Sequence, residues 1–185
     1  NFTGNAMLVG GSDIQIFYIE GRVETLGTNA VETIVDAGDG NDVILFTNDT
    51  RFTTGASATM SPTFLLNGGS GDDLLFLDNI FSSLNFNSIG IEQLTVDPGP
   101  SGGVSRIRGT HEFQEITVRN GQLDVFGQSA FGVSSSLVNI QGSSLVRFFD
   151  TGSGVLNQRF LGSGVFEYHG GTHEFASQNF LSGQF

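Results

Sequence analysis

Two short segments rich in glycine and aspartate contain the residue types and the spacing that metal binding requires. They are Ala37-Gly38-Asp39-Gly40-Asn41-Asp42 and Gly68-Gly69-Ser70-Gly71-Asp72-Asp73. A hard cation such as Ca²⁺ prefers about six to eight oxygen ligands, and glycine allows backbone carbonyl oxygens to approach one another closely. We therefore predict calcium as a cofactor, with these candidate ligand positions: Gly38, Asp39, Gly40, Asp42, Gly69, Gly71, Asp72 and Asp73.

Together with the residues that follow them, the two segments form nine-residue units at 37–45 and 68–76. These units resemble the calcium-binding repeats of RTX proteins, a family of secreted toxins, proteases and surface proteins. The resemblance implies that the glycine turn presents carbonyl oxygens and that the sixth residue, Asp42 or Asp73, supplies a carboxylate. It also implies that the apolar eighth residue of each unit points into a protein core.

The separation of the two units departs from that family. RTX repeats normally follow one another in tandem and hold each ion between two stacked turns, whereas here no further copy lies between Asp42 and Asp73. If one long coil of the chain separates them, the turns can stack and share an ion. If it does not, each turn is half of a site. Turns that merely connect two strands are the alternative to calcium binding.

The histidines and the remaining polar residues give little support for catalysis. His169 and His173 have a spacing that zinc could use, but we predict that they are solvent-facing residues beside a glycine corner. The chain has no lysine and no cysteine nucleophile. We therefore predict that it is not an enzyme. A polysaccharide-acting β-helix enzyme or a carbohydrate-binding module is the alternative, and a groove lined by clustered Arg and Asp would favour it.

The composition of the chain argues against several classes of binding partner. The net charge is −12 and all seven basic residues are arginine, which argues against nucleic acid and anionic membrane surfaces. No run of apolar residues is long enough to span a bilayer, so we predict no membrane insertion. An acidic, cysteine-free chain suits a calcium-rich extracellular or cell-surface location.

The elements that must position these residues are short strands. Alternating apolar stretches of four to seven residues end repeatedly at glycine-containing breaks, and no helical periodicity is sustained. Glu92-Gln93-Leu94-Thr95-Val96 recurs further along the chain as Gln114-Glu115-Ile116-Thr117-Val118, and residues 109–113 recur unchanged as 171–175.

Repeats of about 21–22 residues predict an all-β, single-chain parallel β-helix (β-solenoid) with one or two loop insertions. A β-sandwich is the alternative fold. The residues predicted to form the inward ladder, together with many of the phenylalanines, are Leu94, Val96, Ile116, Val118, Leu123 and Val125.

Residues 109–127 resemble the β-strand repeat of autotransporter passenger domains, with their "T-V-x-x-G" step and "L-x-V" strand. This resemblance implies a β-helix and export to the cell surface, and it implies no activity.

We predict one solenoid over residues 1–185, with an acidic sub-segment at 1–97 and a nearly neutral, Phe-rich sub-segment at 104–185. Residues 1–100 carry thirteen Asp or Glu against two Arg, a net charge of −11. Residues 47–62 are predicted to loop out of the stack. The expected role is a structural or adhesive segment of a larger surface protein or a filament subunit. It would associate head-to-tail through the solenoid ends and could contact glycans or a cell surface.

Overall fold

The structure is a computed structural model that describes residues 2–3, 7–25, 31–54, 63–78, 83–99, 103–175 and 180–181. The single helical element within these ranges is a short 3₁₀ helix at Gln128–Phe131, so no described helix is long and apolar enough to cross a membrane. The strands within the same ranges are β1 (Phe2–Thr3), β2 (Leu8–Val9), β3 (Ile16–Thr25), β4 (Val31–Asp36), β5 (Val43–Thr54), β6 (Thr63–Asn67), β7 (Leu74–Asp78), β8 (Ser83–Ile89), β9 (Gln93–Asp97), β10 (Val104–Arg108), β11 (Glu115–Val118), β12 (Gln122–Phe126), β13 (Leu137–Ile140), β14 (Leu145–Phe149), β15 (Ser153–Leu156), β16 (Arg159–Gly162), β17 (Val165–His169), β18 (Thr172–Phe175) and β19 (Phe180–Leu181).

The strands form two long parallel sheets and one short one, as a β-solenoid requires. Sheet 1 has the order β1-β3-β5-β7-β9-β11-β13-β16-β19, and sheet 2 has the order β17-β14-β12-β10-β8-β6-β4-β2. The third sheet pairs β15 with β18. The predicted parallel β-solenoid is therefore confirmed. Both long sheets continue across the change from acidic to nearly neutral sequence, because β9 pairs with β7 and β11.

The register of sheet 1 matches the predicted repeat. Gln93, Glu115, Leu137 and Arg159 are paired in succession, and the interval between neighbours in this series is constant and equal to the repeat. Two earlier coils are longer, because Ile16 pairs with Val43 and Val43 pairs with Leu74. The coil from Leu74 to Gln93 is shorter than the repeat. Variable corner length therefore lets coils of different size keep their strands aligned.

The core is the stack of inward side chains between the sheets. All six residues predicted for the inward ladder are at most 1% exposed, which confirms that prediction. Phenylalanines fill much of the remaining interior, and the ring of Phe131 lies 4.9 Å from that of Phe148. Aromatic pairs at this distance add stabilisation beyond the burial of their area.

One predicted loop is partly a strand. The sequence predicts that residues 47–62 loop out, but β5 extends to Thr54 and pairs with the second half of β3, including Val23 with Phe52. A register shift between Glu20 and Arg22 accommodates this extension. Pairing with a long neighbouring strand outweighs the weak strand pattern of these residues. Residues 55–62 lie outside the described part of the chain.

Candidate metal centre

The two glycine turns lie directly on each other at one edge of the solenoid. Residues 37–42 connect β4 to β5, and residues 68–73 connect β6 to β7. The N–H of Ser70 donates to the Gly38 carbonyl at 3.0 Å, and the N–H of Gly40 donates to the Ser70 carbonyl at 2.8 Å. The sequence between the two motifs is therefore one coil, and the turns stack as one of the two sequence-based alternatives requires.

Glycine is needed where the turns touch. Gly69 has a φ of +96°, and a Cβ there would lie 1.8 Å from the carbonyl oxygen of Gly38. Gly71 has a φ of +141°, and its Cβ would lie 1.9 Å from the carbonyl oxygen of Gly40. Both the backbone conformation and the lack of space exclude a side chain at these positions. The glycines of the motif are thus explained by close backbone contact between coils.

Asp42 and Asp73 occupy equivalent positions in the two turns, and each is only 1% exposed. Oδ1 of Asp73 accepts a hydrogen bond from the N–H of Asp42 at 2.7 Å, and Oδ1 of Asp42 accepts one from the N–H of Gln15 at 2.7 Å. The N–H of Asp73 donates to Oε2 of Glu92 at 2.9 Å. These four residues form a column in which each later side chain satisfies the backbone of the preceding coil.

The second oxygen of each buried aspartate has no hydrogen-bond partner. This is true of Oδ2 in both Asp42 and Asp73. Burial raises the pKa of the Asp73 carboxyl, and the charges of Asp42, Glu92 and Asp72 raise it further, although the N–H of Asp42 acts in the opposite direction. Leaving a buried polar group unpaired costs about 1–3 kcal/mol, and more when it is charged. A bound cation would remove this cost.

Because Gly68 has no side chain, the unpartnered oxygen of Asp73 lies close to the carbonyl oxygen of Gly90. A Cβ at Gly68 would lie 2.7 Å from Oδ2 of Asp73 and 1.9 Å from the carbonyl oxygen of Gly90. At the corresponding position of the preceding turn, Ala37 has a buried methyl group. A carboxylate and a carbonyl oxygen are ligands that Ca²⁺ prefers. These residues therefore fit a hard cation, and Asp73 is better placed as a ligand than Asp42.

The other two predicted carboxylate ligands, Asp39 and Asp72, have exposed side chains. The backbone of Asp39 forms an isolated bridge with Ser70, and the N–H of Asp72 donates to Oδ1 of Asn41 at 3.1 Å. Across the described ranges, no three His, Cys, Asp or Glu side chains are grouped closely enough to hold a metal ion by themselves. A metal site at Asp73 would consequently need backbone carbonyl oxygens as well.

A third turn, which sequence reasoning missed, stacks on the same edge. Residues 10–15 connect β2 to β3, and the N–H of Asp39 donates to the carbonyl of Gly11 at 2.7 Å. Gln15 takes the place of the aspartate, and its Oε1 accepts a hydrogen bond from the N–H of Gly11 at 3.2 Å. The pair Gly10-Gly11 was the available signal in the sequence. It was missed because Gln15 stands at the position where the other two turns have aspartate. Gln15 is thus the uncharged first member of the polar column.

One of the two histidines that were predicted to face solvent is nearly buried instead. His169 has a side chain that is 44% exposed. His173 is nearly buried, with its Nδ1 at 2.8 Å from the hydroxyl of Tyr168 and its Nε2 at 3.4 Å from Oδ2 of Asp150. His111 is 3% exposed. The prediction of a solvent-facing side chain is therefore wrong for His173. His111 is buried as well, and core aromatic rings pack against both histidines.

Charged side chains alternate on the outer face of sheet 2. Arg106, Asp124, Arg147 and Glu167 share one register position on four neighbouring strands. Arg147 forms two hydrogen bonds of 2.9 Å with Asp124, and Nε of Arg106 lies 3.4 Å from Oδ2 of Asp124. Asp124 is 2% exposed, so its buried charge is neutralised by flanking arginines. The sequence gives no hint of this ladder before the register is known.

A groove of about 360 Å³ lies beside the charged ladder. The Arg108 guanidinium lies 3.9 Å from the ring centroid of Phe126, which stacks on Phe149 at 4.9 Å, and Phe149 stacks on His169 at 4.8 Å. The stack therefore places basic groups at both of its ends. The residues that line the groove are Arg108, Phe126, Gly127, Phe149, Asp150, Thr151 and His169.

Comparisons with known protein families, with curated proteins and with solved structures found no match. The resemblances to RTX and autotransporter repeats therefore stay predictions. Because one fold supports many functions, the β-solenoid does not by itself identify a function. The function has to be argued from the glycine turns and the groove.

Proposed function

We propose that the chain is a structural segment of an extracellular or cell-surface β-solenoid, and that Ca²⁺ stabilises its acidic half. The observation that carries the calcium proposal is the buried, unpartnered Oδ2 of Asp73, which lies close to the carbonyl oxygen of Gly90 beside the position that a Gly68 side chain would take. The net charge of −11 in residues 1–100 adds to the argument, because a divalent cation reduces the repulsion within this half.

The structural role is supported by the architecture. A stack of coils with one continuous core makes a stiff spacer, since every coil is stabilised by its neighbours. Head-to-tail association through the solenoid ends belongs to the same proposal, because unpaired strand edges readily pair with another chain. Adhesion to glycans or to a cell surface is the corresponding role in a larger protein. Electron microscopy of the purified chain, with and without calcium, tests for filaments.

Calcium removal should destabilise the wild-type chain but not a chain without the Asp73 carboxylate. An ion that binds only the folded state at about a hundred times its Kd adds about 2.7 kcal/mol to the free energy of unfolding. Thermal unfolding in saturating Ca²⁺ and in EDTA measures this difference. We expect Asp73→Asn to abolish most of it. In EDTA, Asp73→Asn should be neutral or stabilising at pH 7. Burial raises the pKa of the Asp73 carboxyl, so ionising this group at a higher pH lowers the free energy of unfolding.

Asp13→Asn is the matched control, since it removes one exposed carboxylate from the same edge of the solenoid. It should leave the calcium-dependent difference intact. Equal unfolding temperatures for the wild-type chain in Ca²⁺ and in EDTA would end the calcium part of the proposal.

Binding of an acidic polysaccharide is a second candidate function, and the groove beside the charged ladder favours it. Arg108 can pair with a uronate carboxylate, while Asp150 and Thr151 can hydrogen bond to sugar hydroxyls. Together with the neighbouring charged ladder, the groove places Arg and Asp on one face of the solenoid, which favours a carbohydrate-binding module or a polysaccharide-acting enzyme.

A titration with oligouronates, followed by NMR, tests this candidate. We expect shifts confined to the groove and a loss of affinity of about tenfold in Arg108→Gln, which removes one charge-assisted contact. Neutral oligosaccharides of the same length are the control. An absence of shifts at millimolar ligand, or equal binding by Arg108→Gln, rules the groove out as a uronate site. A turnover assay on the same ligands separates binding from catalysis.

A further inference from the structure

The outer face of sheet 1 carries an apolar patch on three neighbouring coils. In the strand register, Ile16 pairs with Val43 and Val43 with Leu74, while Tyr18 pairs with Leu45 and Leu45 with Phe76. The residues between them in each strand, such as Ile44 and Leu75, point into the core. Strand alternation therefore places six large apolar side chains on the outside. We call Ile16, Tyr18, Val43, Leu45, Leu74 and Phe76 the apolar platform.

The platform is open at one end and bounded at the other. Ile16 is 70% exposed and Tyr18 is 57% exposed, whereas the four residues on β5 and β7 are half-buried by their neighbours. In the next coil, Gln93 and Thr95 occupy the same two register positions. A polar face is usual for an outward sheet surface. The platform gathers six large apolar side chains on three neighbouring coils, whereas Leu161 lies on the same face in a more polar part of the sheet.

Exposed carboxylates flank the platform on both sides. Asp13, Asp39 and Asp72 lie on the glycine turns that precede β3, β5 and β7, and all three side chains are exposed. Glu20, also exposed, lies on β3 beyond Tyr18. Arg22 and Arg51 are the only basic residues in the first hundred. The surroundings of the platform are thus strongly negative.

We propose that the apolar platform docks a basic, amphipathic segment of a partner protein. Its apolar side chains would cover the platform while its lysines or arginines pair with the flanking carboxylates. The charge argues against two other occupants. A second copy that docked its own platform here would bring its flanking carboxylates against these and would be repelled, and an anionic membrane surface would be repelled in the same way.

The platform is small, so the interaction is expected to be transient. Two columns of side chains across three coils span roughly 7 by 10 Å of sheet, because strands are about 4.8 Å apart and alternate residues about 7 Å apart. A footprint of this size is well below that of a stable protein interface, so only a short segment can dock here and it binds weakly. The docking uses outward side chains and not the buried Oδ2 of Asp73, so it does not rest on calcium binding.

The test titrates the full chain with a short peptide of alternating lysine and leucine, followed by NMR and calorimetry. We expect shifts at the platform residues in both Ca²⁺ and EDTA, and severalfold weaker binding at high salt. The same peptide with glutamate in place of lysine should not bind. Binding in EDTA also separates this proposal from the calcium proposal, since either can fail while the other stands.

Two variants locate the site. Ile16→Thr with Phe76→Thr keeps residues that suit strands and should weaken peptide binding about tenfold. Leu161→Thr is the matched control, because Leu161 is on the outer face of sheet 1 four coils beyond Phe76. Asp13→Asn with Glu20→Gln leaves the apolar side chains in place and should reduce both affinity and salt dependence.

Several results would overturn the proposal. One is binding of the glutamate peptide with the same affinity as the lysine peptide. The others are NMR shifts at residues outside the platform, and wild-type affinity for the lysine peptide in both double variants. Formation of a dimer that buries the platform would assign it to a second copy instead.

Discussion

Replacing Gly69 by alanine should lower the free energy of unfolding by about 3–5 kcal/mol, the range typical of severe single substitutions. Two effects combine. Alanine at the φ of +96° costs about 1–2 kcal/mol by itself, and the added Cβ would lie 1.8 Å from the carbonyl oxygen of Gly38. That oxygen belongs to the backbone of the neighbouring coil, so relief requires the two turns to separate. Urea-induced unfolding measures the difference.

Gly127→Ala separates the two effects. Gly127 has a similar φ of +87°, but nothing lies within 4 Å of where its Cβ would be. Its replacement should therefore cost only the conformational part, about 1–3 kcal/mol for a backbone conformation that side chains rarely adopt. Equal losses in the two variants would show that the glycine turns are not in the close contact described here.

Acidification should destabilise the chain through His111. Burial lowers the pKa of His111 to about 3, against an ordinary value of 6.5 for an exposed histidine. The unfolded chain therefore binds a proton that the folded chain does not bind between these two values. Stability from this group is complete above about pH 6.5 and falls by about 1.4 kcal/mol per pH unit as the pH drops towards 3. At pH 4.5 the loss is about 2–3 kcal/mol.

The surroundings of His111 explain the size of this effect. Its ring lies between those of Phe86 and Phe113, at 4.6 and 4.7 Å, and Nδ1 is 3.0 Å from Oγ of Ser88. Nε2 is buried without a hydrogen-bond partner. A protonated ring would therefore bring a second N–H donor into an apolar space.

The His111 prediction is checked by comparing pH profiles of stability. His111→Phe should lose about 2–3 kcal/mol less than the wild-type chain between pH 7 and pH 4.5, because the titration of the carboxylates is common to both. His169→Gln, at an exposed position, should follow the wild-type profile. An NMR titration gives an independent reading, in which the His111 ring should not protonate above about pH 4. Protonation near the ordinary pKa of histidine would contradict the buried placement.

The sequence predicts the regular part of the fold well, because the repeat and the core pattern have the same physical origin. Leu94 and Ile116 have to be apolar since they stack in the core, and the constant offset between such pairs follows from coils of equal length. The longer coils before Leu74 could not be predicted in this way. The steps from Ile16 to Val43 and from Val43 to Leu74 depend on corner length, which no periodic pattern records.

The glycine turns could also be predicted only in part from the sequence. Their motifs identified Asp42 and Asp73 as equivalent residues, and stacking of the turns was one of two alternatives. Which carboxylate oxygen is satisfied by a neighbouring N–H depends on the coil above or below. Gln15 and Glu92 could not be assigned to the same column from the sequence, because their turns lack the motif and their offsets differ.

The pairing of charged residues on neighbouring coils could not be predicted from the sequence for the same reason. Arg106 pairs with Asp124 and Asp124 pairs with Arg147, but the two steps differ in length along the chain. The burial of His111 was equally hidden, because Thr110 and Glu112 beside it give the segment a polar pattern. Each of these features can be predicted only when the strand register of three neighbouring coils is known.

The most direct test of the calcium proposal is an anomalous difference map from crystals of the chain grown with Ca²⁺. The proposal predicts a peak about 2.3–2.6 Å from Oδ2 of Asp73 and from the carbonyl oxygen of Gly90, the distances typical of Ca²⁺–oxygen contacts. No peak at this position, with Oδ2 of Asp73 hydrogen bonded to a water molecule or to a backbone N–H, would contradict it.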